Sequence, residues 1–186
     1  DIKDGKSQQI DFQIAPFHKG QWRRYGTERG LPSNDTRDLK FTADGMLWIA
    51  TASGVVRFDG REFVTFTKRH GLMDNRATCI HAAADGTLWF GTETGAARFD
   101  PTTEKFQNFP SGQNGGTAGN VGPGVVRDIE TTPDGMVWVF TGSRLLSRYD
   151  GRSLENVAFL NNAATSGGQI YSKLLAVDRM GRLWIG

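Results

Sequence analysis

The sequence predicts an all-β fold of stacked four-stranded antiparallel sheets, and three observations carry that reading. One phrase recurs: DGMLWIAT at 44–51, DGTLWFGT at 85–92, DGMVWVFT at 134–141 and MGRLWIG at 180–186. Its tryptophans stand at 48, 89, 138 and 184, separated by 41, 49 and 46 residues. No stretch of any length carries the apolar spacing of a helix. Four short strands per ~40–45 residues is the signature of a β-propeller blade. A blade cannot bury both faces alone, so it must stack on neighbours around an axis.

The register around each tryptophan justifies the elements in order. An aliphatic residue stands nine before it (Leu39, Ile80, Ile129, Leu175) and a glycine three before it (Gly45, Gly86, Gly135, Gly181). A threonine stands three after the first three tryptophans: Thr51, Thr92 and Thr141. In the first copy TRDLKFT reads as the innermost strand, and ADG turns it into MLWIAT. ASG then leads to VVRFD, and a second Asp-Gly turn leads to the outer strand REFVTF. Asp-Gly is expected here because both residues tolerate the positive φ angles of a tight hairpin turn. Each tryptophan and its flanking aliphatics are expected to fill the gap between adjacent sheets. Phe63 and Phe66, like Phe106 and Phe109, repeat a three-residue spacing on the outer strand, and Trp22 and Tyr25 repeat it again. Residues 20–25 therefore read as the outer strand of a blade whose other strands lie elsewhere.

These repeats give a β-propeller fragment of about three and a half blades from a larger ring, over residues 20–186. The blades fall near 20–67, 68–110, 121–160 and 170–186, the last one cut within its second strand. Residues 1–19 read as the end of a preceding β-sandwich domain or a linker, with Ile10, Phe12 and Ile14 alternating as in a strand. The first residue is not Met, so a piece of a longer protein is expected.

Composition narrows the function classes. Apolar residues make up 38% of the 186 residues and aromatics 11%, enough for packed layers. A net charge of +2, with both signs interspersed, gives no long-range attraction to nucleic acid. No apolar run approaches the ~20 residues of a membrane helix. The single cysteine, Cys79, lies in a strand-like stretch and reads as a small buried apolar residue. Of the histidines, His18 and His70 read as solvent-facing and His81 as a structural or channel-lining residue. No metal-ligand spacing, nucleophile elbow or phosphate loop is present, so no catalytic residue, metal or cofactor is expected.

The first copy, GLPSNDTRDLKFTADGMLWIATASGVVRFDG, resembles the two-component regulator propeller repeat, as does the GLMDN that opens the second. The third copy departs in SGQNGGTAGNVGPG (111–124) and carries one extra residue in VFTGSRLLSRYDG, and the fourth has Met180 in place of the turn aspartate. The opening DIKDGKSQQIDFQI resembles the last hairpin of a carboxypeptidase-regulatory-like β-sandwich. The repeat resemblance implies a non-enzymatic ligand-sensing or relay module of a bacterial signalling protein, held on the periplasmic or extracellular side of a membrane. Its implied partners are a small-molecule or oligosaccharide ligand and other domains of the same protein, or a second copy. Two alternatives stand beside it: a structural or protein-docking propeller, and a propeller enzyme similar to streptogramin lyase.

Propellers bind on the face that carries the loops leading into each innermost strand. Eleven residues before the tryptophans stand Arg37, Thr78, Arg127 and Lys173. Three cations at that position suit carboxylates, such as those of acidic carbohydrates, because arginine holds them bidentately. Glu93 and Arg144, in the turns between the second and third strands, are further ligand candidates. Against this, Asp38 and Asp128 could neutralise the neighbouring arginines, and Arg37 shares strand parity with Leu39, so that its stem could pack between blades.

Overall fold

The computed structural model describes residues 24–112, 119–159 and 175–186. The suggested β-sandwich end, Trp22, His18 and Lys173 lie outside the described residues. Three sheets of four antiparallel strands follow one another in chain order. The first comprises β1 (Thr36–Phe41), β2 (Leu47–Thr51), β3 (Gly54–Phe58) and β4 (Phe63–Phe66). The second comprises β5 (Ala77–Ala82), β6 (Leu88–Thr92), β7 (Gly95–Asp100) and β8 (Lys105–Pro110). The third comprises β9 (Val126–Thr131), β10 (Val137–Thr141), β11 (Leu145–Tyr149) and β12 (Leu154–Phe159). A pair, β13 (Leu175–Val177) and β14 (Leu183–Ile185), follows.

The core lies between sheets. Trp48, Val55 and Phe66 of the first sheet pack on Ile80, Phe90 and Phe99 of the second. Trp89 and Phe109 of the second pack on Ile129, Val139 and Tyr149 of the third. Phe140 and Leu146 of the third meet Leu175 of the last pair. Trp48 stacks on Phe66 at 5.6 Å and meets Phe99 edge-on at 5.3 Å; one blade on, Trp89 stacks on Phe109 at 5.2 Å and meets Tyr149 edge-on at 5.1 Å. This is all-β, face-to-face stacking in chain order, as in a propeller fragment. The first sheet's other face bears Leu39 and Phe41, 58% and 71% exposed.

Tyr25 is not in a strand, but its ring lies 5.2 Å from Phe58 and 5.7 Å from Phe63. Phe66 lies 5.2 Å from Phe99 and 6.1 Å from Phe106 one blade later. Tyr25 thus covers the first blade in the way Phe66 covers the second. The GLPSN and GLMDN motifs each close a short 3₁₀ turn, Thr27–Arg29 or Lys68–His70. Their glycines, Gly30 and Gly71, take left-handed φ angles, Leu31 and Leu72 are buried, and Asn34 and Asn75 accept from the N–H groups of Thr27 and Lys68.

The Asp-Gly turns differ from expectation. Only the glycine is left-handed, at φ 83, 83 and 84° for Gly45, Gly86 and Gly135; the aspartates are not among the residues with positive φ. Gly45 N–H donates to Thr42 O and Thr42 N–H to Met46 O, which makes a three-residue hairpin loop closed by a bulge. The aspartate instead accepts the turn's own N–H groups, as Asp85 Oδ1 does from Thr87 at 3.0 Å. In the fourth copy Asp178, two residues before Met180, takes over this role and accepts from Met180 N–H, Arg182 N–H and Trp184 Nε1.

Hydrogen bonding, led by the Trp184 indole, holds the Asp178 carboxyl down at about 2 from its ordinary 3.8. A depressed folded-state value means that the bond's contribution is complete above 3.8 and is lost as pH falls through about 2. The Trp184 indole N–H resonance should therefore titrate with a midpoint near 2 and become flat in Asp178→Asn; a midpoint near 3.8 would contradict the hydrogen bond.

The repeat also explains one orphan. Trp138 Nε1 donates to Thr132 Oγ1 at 3.1 Å, and Trp184 Nε1 donates to Asp178, each acceptor standing six residues earlier. Trp89 has Ala83 at that place, and its Nε1 is buried without a hydrogen-bond partner. Ala83→Thr is expected to stabilise the fold by about 1 kcal/mol in denaturant titrations, by supplying the missing acceptor.

Candidate functional site

The antiparallel order puts the β2–β3, β6–β7 and β10–β11 turns at one end of the sheets, beside the loops that lead into β1, β5 and β9. A backbone bond ties turn to loop in each blade: Ala52 N–H to Asp35 O, Glu93 N–H to Arg76 O, and Gly142 N–H to Val125 O. Inside this rim Thr51 and Thr92 are fully buried, and their hydroxyls donate to Gly54 O and Gly95 O at 2.8 and 2.7 Å. That is what the repeated threonine does. In the third blade the extra residue makes a three-residue turn, and Arg144 takes a left-handed φ of 62°, a place that commonly goes to glycine.

The candidate position eleven residues before each tryptophan has one geometry in all three complete sheets. The pairing runs Thr36 with Thr51 then Asp38 with Ala50, Ala77 with Thr92 then Cys79 with Gly91, and Val126 with Thr141 then Asp128 with Phe140. Arg37, Thr78 and Arg127 are each the extra residue of a β-bulge. A bulge re-aims a side chain, so the strand parity that would pack Arg37 with Leu39 does not hold.

The structure also redirects the aspartates that follow. Asp38 accepts from its neighbour Leu39 N–H at 2.9 Å and, across the blade boundary, from Ile80 N–H at 2.8 Å. Asp128, 3% exposed, does the same to Ile129 N–H and Leu175 N–H at 2.9 and 2.8 Å. They join the innermost strands of successive blades rather than neutralising Arg37 or Arg127. In the second blade Thr78 Oγ1 makes the join, donating to Val126 O at 2.7 Å.

Arg37 is neutralised by other groups. Its guanidinium meets Glu93 at 3.3 Å and Asp35 at 3.4 Å, and the second Glu93 oxygen meets Arg76 at 2.8 Å. Of the candidates, Arg37 and Glu93 are thus brought together, but as partners of each other. Asp35 and Arg76 of this network stand out in sequence only by their place beside the GL-x-x-N motif. Arg127 is exposed, runs beside Gly142, and has no hydrogen bond or ion pair among the described residues. Arg144 is half-buried on the same rim.

His81, 8% exposed, has both ring nitrogens engaged: Nε2 with Thr131 Oγ1 at 2.7 Å, and Nδ1 with Glu130 at 3.6 Å. His70 is exposed and accepts Thr67 N–H at Nδ1. Cys79 is buried, and desolvation, then the nearby Asp128, pushes its thiol up to about 12, so it is no nucleophile at neutral pH. Among the described residues no group of three or more metal-ligating side chains converges, and no helix is long and apolar enough to cross a membrane.

Blades stacked in order, with innermost strands joined edge to edge and bulged at one rim, define a β-propeller. Residues 71–94 match the two component regulator propeller family. The extracellular domain of a hybrid two component system from B. thetaiotaomicron is similar over 89% of this chain and 22% of its own, at 22% identity and TM-score 0.71. A second such domain from the same organism is similar over 80% of this chain and 19% of its own, at 25% identity and TM-score 0.61. The chain thus spans about a fifth of the length of these domains. A virginiamycin B lyase from Staphylococcus aureus shares the fold over 81% of this chain and 48% of its own, at 13% identity and TM-score 0.63. No curated protein sequence matches the chain.

Proposed function

We propose that this chain is part of a non-enzymatic sensing or relay propeller in a bacterial two-component-type signalling protein, outside the cytoplasmic membrane. The repeat match and the likeness to extracellular domains of two component systems support that reading. Other domains of the same protein, or a second copy, receive the signal. The lyase-like propeller enzyme stands as the alternative: His81 has an acid beside it, Nδ1 lying 3.6 Å from Glu130, while Thr131 Oγ1 takes up its Nε2 at 2.7 Å.

One observation carries the binding role: three successive blades bulge at the same register, and in the first and third the bulged residue is an arginine whose side chain lies at a rim turn, Arg37 on Glu93 and Arg127 beside Gly142. The ligand is a carboxylate-bearing carbohydrate gripped at Arg127, with Arg144 on the same rim. Arg37 and Glu93 act there as a paired, near-neutral margin. Thermal-shift titration of the protein with oligogalacturonate tests this. Arg127→Ala is expected to weaken binding about tenfold or more, as loss of a charge-assisted pair does. No shift with acidic oligosaccharides, together with unaffected signalling in Arg127→Ala, would remove the binding role.

A further inference from the structure

The end opposite the rim carries a separate feature, a cleft of about 830 Å³ between the first two blades. Met46, Trp48 and Val64 line one side, and Ala82, Leu88 and Pro101 the other. The sequence makes the room. The second blade has three alanines, Ala82 to Ala84, where the third has Thr131, Thr132 and Pro133. The volume lies in the ~300–1,000 Å³ range of small-molecule sites.

The charge of the lining is one-sided. Asp44, Asp59 and Glu62 border the cleft, against the single cation Arg57. Arg57 is already engaged: Glu104 meets it at 2.9 Å, and it lies 6.0 Å over the Trp48 ring and 5.6 Å over Phe66. The Asp44 carboxyl is held below the usual range first by the Thr42 hydroxyl, and the Asp59 carboxyl by the N–H groups of Glu62 and Arg61. Both are anionic at neutral pH. The Glu62 carboxylate has no partner among the described residues.

We propose that this cleft binds a small organic cation, an ammonium or guanidinium group on an apolar body. The body lies between Met46 and Val64 on one side and Ala82 and Pro101 on the other, above the buried Trp48, and the charge faces Asp59 and Glu62. The site is independent of the carboxylate reading at the rim.

Three probes with one body and different heads test it: phenylbutylamine, phenylbutanol and phenylbutyrate. Each is titrated into the isotopically labelled protein while the Trp48 indole N–H resonance is followed. The amine should move that resonance with a Kd near ~1 mM, tighter than the alcohol, with the acid weakest. Glu62→Lys, at an exposed position, should weaken the amine about fivefold and bring the acid closer to it. Ala84→Phe, also exposed, should narrow the mouth and weaken all three. The proposal fails if the alcohol binds as tightly as the amine, if the Trp48 resonance does not respond, or if Glu62→Lys leaves the amine's affinity unchanged.

Discussion

Trp89→Ala is expected to destabilise the protein by about 3–5 kcal/mol, as loss of a fully buried aromatic does. Its ring is 0% exposed and stacks on Phe109 while touching Tyr149 of the next blade, so truncation opens a cavity that two sheets share. Trp48→Ala, at 2% exposure and against Phe66, Phe90 and Phe99, should cost about as much. Denaturant midpoints of both variants check this directly. Losses below about 1 kcal/mol at both positions would mean that stacking between blades is not what the tryptophans supply.

Asp128→Ala should cost about 2–4 kcal/mol. It strands the N–H groups of Ile129 and Leu175 at about 1–3 kcal/mol each, offset in part because a carboxylate need no longer be buried. Asp38→Ala removes the same pair of bonds from a half-buried site, where water can replace the carboxylate, and should cost about 1 kcal/mol. Asp128→Asn should fall between wild type and alanine, because an amide carbonyl accepts where its NH₂ cannot. Parallel denaturation curves of the three variants read out the order; an Asp128→Ala loss no larger than that of Asp38→Ala would exclude the interblade role.

The fold was legible because its causes repeat. Phe, Trp, Thr and Gly recur at fixed offsets, and each offset corresponds to a contact that every blade makes: Trp48 on Phe66, Thr51 on Gly54 O, Gly45 in its turn. The extra residue before Leu145 was visible for the same reason, as a break in the count. The rim was only half legible. The charge at Arg37 and Arg127 could be read, but its direction could not, because a bulge is a property of two strands paired with unequal residue counts. Strand parity taken from β1 alone therefore misplaced Arg37. The neutralising groups were also misassigned. Asp38 adjoins Arg37 in sequence yet bonds to Ile80 N–H, whereas Glu93, 56 residues away, supplies the charge. The role of Asp178 was hidden because the turn aspartate had moved two places while serving the same N–H groups.

The shared irregularity at Arg37, Thr78 and Arg127 separates two tasks within a single strand. Residues on either side of it are committed to ladder pairing and to the oily layers. Where it is Arg37 or Arg127 the displaced one answers to neither, whereas the Thr78 hydroxyl is engaged by the next innermost strand. Such a socket accepts exchangeable chemistry at little cost to the frame that carries it, so new recognition can be tried one copy at a time while the wheel stays assembled.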